Sequence, residues 1–180
     1  MKQNKYDDDV FFNKYSNMER SKNGLEGAGE WYELKKMLPD FKDKMVLDLG
    51  CGFGWHCRYA AENGAKSVIG IDISQKMLSE AKSKTKYGNI EYICMPIEDI
   101  DFPEESFDVV ISSLALHYVK SFEDVLVRVY KCLSKGGDFV FSVEHPIFTA
   151  QGPQDWYYDG KGNILHWPVD HYFTEGIRNA

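Results

Sequence analysis

Basic residues are in short supply in this 180-residue chain: 21 Lys and Arg stand against 28 Asp and Glu, giving a net charge of −7 and a pI near 5.2. Such a surface repels a phosphate backbone on average, so nucleic acid is the disfavoured substrate and a small molecule the favoured one. The local exception, Lys82-Ser83-Lys84-Thr85-Lys86, reads as the solvated end of a helix whose dipole attracts cations. Cysteine is also sparse. Cys51, Cys57, Cys94 and Cys132 are widely spaced, and without a C-x-x-C pair they form neither a zinc ribbon nor a disulfide framework. No apolar run approaches the length that spans a bilayer. Residues 1–9 lack the apolar centre of a signal peptide, so the cytoplasm is the expected compartment. No internal repeat or low-complexity tract is present.

What the chain does have is a hydrophobic content of 43% and a charged content of 27%, ordinary for one globular domain of this length. Its most telling stretch is Asp48-Leu49-Gly50-Cys51-Gly52-Phe53-Gly54, placed directly after the apolar run Met45-Val46-Leu47. Three glycines at alternate positions after a short buried strand describe a backbone that turns sharply and leaves room for a ligand. The period then becomes helical: Phe53, Cys57, Ala60 and Ala61 share one face of a helix that runs to about Glu62 and closes at Gly64. A second strand, Ser67 to Ile71, ends on Asp72. Strand, glycine loop, helix, strand and terminal acid form a nucleoside-binding half-site, with the acid on the ribose hydroxyls. A nicotinamide loop, G-x-G-x-x-G counted from Gly50, needs glycine at position 55. Trp55 stands there, and an indole is a poor floor for a pyrophosphate. Cys51, inside the loop, reads as a packing residue.

The D-x-G-x-G-x-G run followed by Asp72 resembles the first motif of the class I S-adenosylmethionine-dependent methyltransferases. The alternation of strands and helices over residues 45–145 is similar to that family throughout. Its strands are the two above, Ile90 to Cys94, Phe107 to Ser112, and Asp138 to Val143; Ser74 caps a helix to about Lys84, and another runs from Ser121 to Ser134 until Gly136-Gly137 ends it. The helix at Ser121 carries Phe122, Val125, Leu126, Val129, Tyr130 and Leu133 inward. The resemblance implies an α/β fold, a Rossmann-like, doubly wound, mostly parallel sheet, with S-adenosylmethionine as cofactor and methyl transfer to a small, partly aromatic or amphipathic molecule. The chain resembles the broad group that includes the quinone-biosynthesis enzymes, but shows no motif that selects that substrate.

By the same resemblance, Asp48 reaches the amino group of the methionine moiety or holds the loop's own amides. Gly50, Gly52 and Gly54 let the main chain approach the cofactor, Asp72 accepts from the ribose diol, and Ile73 and Met77 pack on adenine. The family's adenine-binding acid and small residue fall on Pro96 and Ile97. The Ile97 amide then serves the ring, with Glu98 or Asp99 as the acceptor. Leu114 follows the fourth strand at the ligand-binding edge. His117 lines the transfer channel, acts as base, or packs on the next helix. His145, after the fifth strand, is the other candidate base. His166 and His171 lie in the aromatic tail. Histidines so scattered make no metal signature, and no metal is expected. Phe11, Phe12 and Tyr15 resemble a lid helix, and Arg20 is placed to meet the methionine carboxylate.

Three segments result: an N-terminal helical lid over 1–44, with a mobile link at Gly24, Gly27 and Gly29; the cofactor-binding core over 45–145; and an aromatic hairpin on the substrate side over 146–180, with strands around Trp156-Tyr157-Tyr158 and Ile164-Leu165-His166-Trp167. The family's last two strands are not evident, so the chain reads as ended early or as a homodimer that covers its open edge. Three other readings compete: a non-catalytic S-adenosylmethionine-binding module or partner subunit, a nicotinamide oxidoreductase, and a protein or RNA methyltransferase, which lacks both a basic bias and an Asn-Pro-Pro-Tyr motif.

Overall fold

The apolar run before the glycine loop forms strand β1, Met45–Leu49, the centre of a five-stranded parallel sheet. The computed structural model describes residues 4–148, 150, 155–170 and 172. Strands β2 (Ser67–Asp72), β3 (Ile90–Cys94), β4 (Phe107–Ser113) and β5 (Leu133–Ser142) complete the sheet in the order β3-β2-β1-β4-β5. Every pairing in it is parallel. β1 pairs with both β2 and β4, so the strand order switches direction at the β1–β4 seam, where open α/β sheets bind ligands at the carboxyl ends.

Both faces of the sheet are covered, which is why its strands are near-continuous apolar runs. Val46, Val68, Val109 and Ile111 join Cys57, Ala60, Leu78 and Ala81 from helices α4 (Trp55–Glu62) and α5 (Gln75–Lys84). Leu47, Leu49, Ile71 and Val110 join Val125, Val129 and Cys132 from α6 (Phe122–Cys132) in a second cluster. Leu47 and Leu49 are fully enclosed, and truncating such a leucine to alanine costs about 2–5 kcal/mol. Ahead of the sheet come α1 (Asp9–Ser16), α2 (Glu19–Lys22) and α3 (Trp31–Met37). Trp31 and Leu34 of α3 pack with Val140 of β5.

Three expectations change. First, α6 ends at Cys132 and β5 begins at once with Leu133, earlier than Asp138; Gly136-Gly137 lies inside the strand rather than before it. Leu133 pairs with Phe107 and Asp138 with Val109, so the irregularity at the glycines, where Gly136 takes φ +76, is a break in register. Second, the buried stripe of α6 is narrower than expected, because Tyr130 is 85% exposed and Leu126 37% exposed. Third, the glycine-rich link is packed: Gly24–Gly27 forms a 3-10 turn. A side chain at Gly24 would meet the Trp55 ring at 2.8 Å, and one at Gly27 the Glu19 carbonyl at 2.4 Å.

The chain divides into two units, Met1–Ser142 and Val143–Ala180. The second contains the expected antiparallel hairpin, β6 (Tyr157–Tyr158) with β7 (Ile164–His166), closed by the turn at Gly162, φ +83. Among the described residues, no helix is long and apolar enough to cross a membrane.

Candidate cofactor and transfer site

The glycine loop is fastened to β2 at several points. The Gly50 and Cys51 N–H groups both donate to the Ile71 carbonyl at 2.9 Å. Gly52, at φ +52, donates its N–H to Asp72 Oδ2 at 2.9 Å, while Asp72 Oδ1 accepts the Ser74 N–H at 2.8 Å. Asp72 therefore joins the loop to the start of α5, and each oxygen keeps a lone pair for a further donor. Burial raises the Asp72 pKa, against the pull of the Ser74 and Gly52 amides. The glycines differ in what demands them. A Cβ at Gly50 would lie 2.4 Å from the Ala115 Cβ, and one at Gly54 2.2 Å from the Tyr92 hydroxyl, whereas one at Gly52 has no atom within 4 Å. The protein's own packing uses the space at Gly50 and Gly54. Gly52 alone of the three faces open room.

Asp48 is the penultimate residue of β1, just before this loop, and is 1% exposed. Its Oδ2 accepts the Cys57 Sγ–H at 3.2 Å, and its Oδ1 is buried without a partner. Burial pushes its carboxyl up to about 7, with the Asp72 charge adding to the rise. Burial also pushes the Cys51 thiol up to about 11 and Cys57 well above its ordinary value, so both behave as packed thiols.

The N-terminal segment lies over the loop and the α5 start. Asn4 Nδ2 donates to the Ile73 carbonyl at 3.4 Å, and Asp7 Oδ1 accepts the Ser74 hydroxyl at 2.6 Å and the Lys76 N–H at 3.2 Å. The Tyr6 ring meets Phe11, Tyr15 and Tyr118 edge-on, at 5.1, 5.3 and 6.4 Å. Phe12 and Tyr15 pack on Phe53 of the loop. Met77 is buried and Ile73 half-buried on the same side. Across the loop, Pro96 leads the 3-10 turn Ile97–Asp99. Ile97 is buried against Gly50, its Cδ1 3.4 Å from where a Cβ would stand, and Glu98 is half-buried. Leu114 takes φ +51, a strained value for leucine. Its N–H is held by the Ser142 carbonyl at 2.9 Å and hydroxyl at 3.2 Å.

Beside the loop, at the β1–β4 seam, a cavity of about 60 Å³ is lined by Tyr15, Arg20, Gly52, Trp55, His56 and Ser113, among others. Arg20 is paired with Glu30, whose Oε1 also accepts the Ser113 hydroxyl at 3.2 Å. The cation expected to meet a carboxylate thus already has one within the protein. His56 was not singled out by its sequence context. The signal available was its place two residues after Gly54, in the first turn of α4 and off the buried Phe53–Cys57–Ala60 stripe. Burial drives its imidazole down to about 4, with Glu30 opposing and Arg20 reinforcing the shift.

His117 sits in the 3-10 turn Leu116–Tyr118 against the Tyr118 ring and is not among the residues lining this cavity. His145 belongs to the second unit, where its Nδ1 accepts the Ile147 N–H at 3.2 Å. His166 stacks on Tyr157 within the hairpin, and His171 lies outside the described residues. Among the described residues, no three His, Cys, Asp or Glu side chains gather to hold a metal.

The residues present fit a cationic nucleoside. A buried carboxylate oxygen without a partner at Asp48, an open glycine at 52, and an acid at Asp72 with spare lone pairs can take an ammonium, a close-lying chain and a ribose diol.

Residues 47–141 match the family description of a methyltransferase domain. A Listeria monocytogenes protein of known structure, assigned to the S-adenosylmethionine-dependent methyltransferases, is 63% identical with a TM-score of 0.76, over 81% of this chain and 68% of that one. An uncharacterized protein of Haemophilus influenzae is 36% identical over 181 residues, 97% of this chain and 71% of its own length. The tRNA U34 carboxymethyltransferase of Marinobacter nauticus is 28% identical over 165 residues, 84% of this chain but 49% of its own, so the chain spans about half of that relative. A domain description that takes in more than half of the sequence, joined to the parallel sheet and to so close a structural relative, settles the family: this chain is a class I S-adenosylmethionine-dependent methyltransferase, with S-adenosylmethionine as its methyl donor.

Proposed function

We propose that the chain transfers the methyl group to a small-molecule acceptor bound at the β1–β4 seam. The observation that carries this reading is the acidic balance of the chain, −7 at pH 7, together with the cavity lined by Gly52 and Ser113. When bound, S-adenosylmethionine supplies a methyl carbon already activated by its sulfonium, so positioning provides much of the acceleration. In this reading Asp72 holds the ribose diol and Asp48 the ammonium. Gly50, Gly52 and Gly54 shape the loop, and Ile73, Met77, Ile97, Glu98 and Leu114 border the nucleoside. The segment over 1–44 excludes water as a lid.

A second reading, an RNA acceptor, draws on the relatives named tRNA U34 carboxymethyltransferase. It lacks support from charge, since phosphate contacts need cations. One experiment separates the two. The purified chain is incubated with labelled S-adenosylmethionine and either a filtered metabolite extract or total tRNA. Label entering the small-molecule fraction is expected. Label entering tRNA alone overturns the proposal.

A further inference from the structure

His56 is a titratable residue of the cavity that has no hydrogen-bond or ion-pair partner among the described residues. It lines the same cavity as Gly52 and Ser113, and Trp31 packs edge-on to its ring at 5.6 Å. Among the described residues, neither ring nitrogen has a hydrogen-bond partner. A neutral imidazole offers one donor and one acceptor, and idle polar groups at a half-buried position call for an explanation. Two of the other polar walls are engaged, while the Trp55 indole N–H is buried without a partner. Arg20 is paired with Glu30, and the Ser113 hydroxyl donates to Glu30 and lies 3.2 Å from that of Ser142.

Charge gives a second argument. A sulfonium bound at this loop would repel an imidazolium beside it, so a histidine here is useful only as the neutral base. Burial keeps it so, down to about 4.

We propose that His56 faces the reacting end of the donor, accepts a hydrogen bond from the acceptor's N–H or O–H, and takes that proton during transfer. The assignment rests on the methyl-transfer reading above. The acceptor lone pair forms the new bond to the methyl carbon, the carbon–sulfur pair stays on sulfur, and the acceptor's proton passes to a ring nitrogen of His56. One positive charge thus moves from sulfur to imidazole, where Glu30 favours it and Arg20 opposes it. His56 then returns the proton to solvent as product leaves.

The test needs no identified acceptor. Sinefungin carries an amine where the transferable methyl stands, and S-adenosylhomocysteine carries nothing there. Calorimetric titration of the whole chain with each, for wild type, His56→Phe and His56→Gln, reads whether position 56 faces that amine. The expected result is a loss of about tenfold or more in the preference for sinefungin with His56→Phe, because a hydrogen bond to a charged group is removed. His56→Gln, which keeps an acceptor, should retain the preference within about threefold, and S-adenosylhomocysteine should bind all three proteins alike. An unchanged preference in His56→Phe overturns the His56 assignment alone. Equal loss of both ligands in His56→Phe, with both kept in His56→Gln, places the ring at the amino-acid end of the donor and likewise overturns it. Wild type that binds neither ligand overturns the donor-site reading and this assignment with it.

Discussion

The Gly52 amide donates to Asp72 Oδ2 at 2.9 Å across 20 residues of sequence, so the glycine loop and the acid that ends β2 are one hydrogen-bonded unit. The same carboxylate caps the Ser74 amide. Asp72→Ala should therefore do two things: lower stability by about 1–3 kcal/mol, as a buried amide loses its acceptor, and abolish measurable S-adenosylhomocysteine binding. Calorimetry beside a urea titration reads both. Full affinity in the variant would remove Asp72 from the ligand site.

Alanine substitutions at the three glycines should separate by what each position faces. At Gly52 an added Cβ meets no atom within 4 Å, so Gly52→Ala carries only the left-handed backbone cost, about 1–2 kcal/mol, while ligand affinity falls tenfold or more. At Gly50 and Gly54 the clashes are with Ala115 and Tyr92, so those variants should unfold first and show their binding defect through lost stability. Thermal melts and titrations of the three proteins check the order. A Gly52 variant that binds normally would place the ligand elsewhere.

Asp48 predicts a pH dependence. Its folded pKa, about 7, lies above the ordinary carboxyl value of about 3.9. Between those two values the native state holds the extra proton, so the Asp48 contribution to stability falls as pH rises from 4 to 7 and is flat beyond. Asp48→Asn removes the buried charge and should gain stability relative to wild type at pH 8 but not at pH 4, by about 1–3 kcal/mol. A cationic ligand favours the ionised carboxylate, so wild-type affinity for S-adenosylmethionine should rise between pH 6 and 8 and that of Asp48→Asn should not. A pH-independent difference in stability would remove Asp48 as the titrating group.

Asp7 ties the N-terminal segment to α5 through the Ser74 hydroxyl and the Lys76 amide. Asp7→Ala should cost about 1 kcal/mol, the usual worth of a capping acid. With the segment less firmly held over the loop, S-adenosylhomocysteine should dissociate several-fold faster in stopped-flow displacement. An unaltered dissociation rate would argue that the segment does not close over the ligand.

Thiol chemistry gives an independent check on the fold. Cys94 is exposed, while Cys51, Cys57 and Cys132 are buried. Ellman's reagent should label one thiol rapidly in the native protein and all four in urea. Fast labelling of Cys51 would mean that the glycine loop opens readily.

Much of the core was legible because its signals are local. Ser74 caps α5 with its hydroxyl on the Met77 amide, as an N-cap serine does, and β2 ends on the acid that closes its apolar run. The turn from α6 into β5 was less legible. Leu133 continues the helical stripe in sequence, yet it lies opposite Phe107 in the sheet, and only that pairing makes it a strand residue. Gly24 and Gly27 likewise suggested a loose link until the Trp55 ring and the Glu19 carbonyl were found filling the space beside them.

The sequence by itself determined the strand–glycine loop–helix–strand–acid unit from Met45 to Asp72, because apolar period, left-handed glycine and capping are properties of neighbouring residues. Tertiary structure alone decided which groups the site leaves idle. Glu30 meets Ser113 across 83 residues and takes Arg20 as well, which consumes the cation and leaves His56 free in the cavity. It also left one oxygen of Asp48 buried without a partner. Those facts depend on which distant side chains reach one point in space, and no local pattern encodes that.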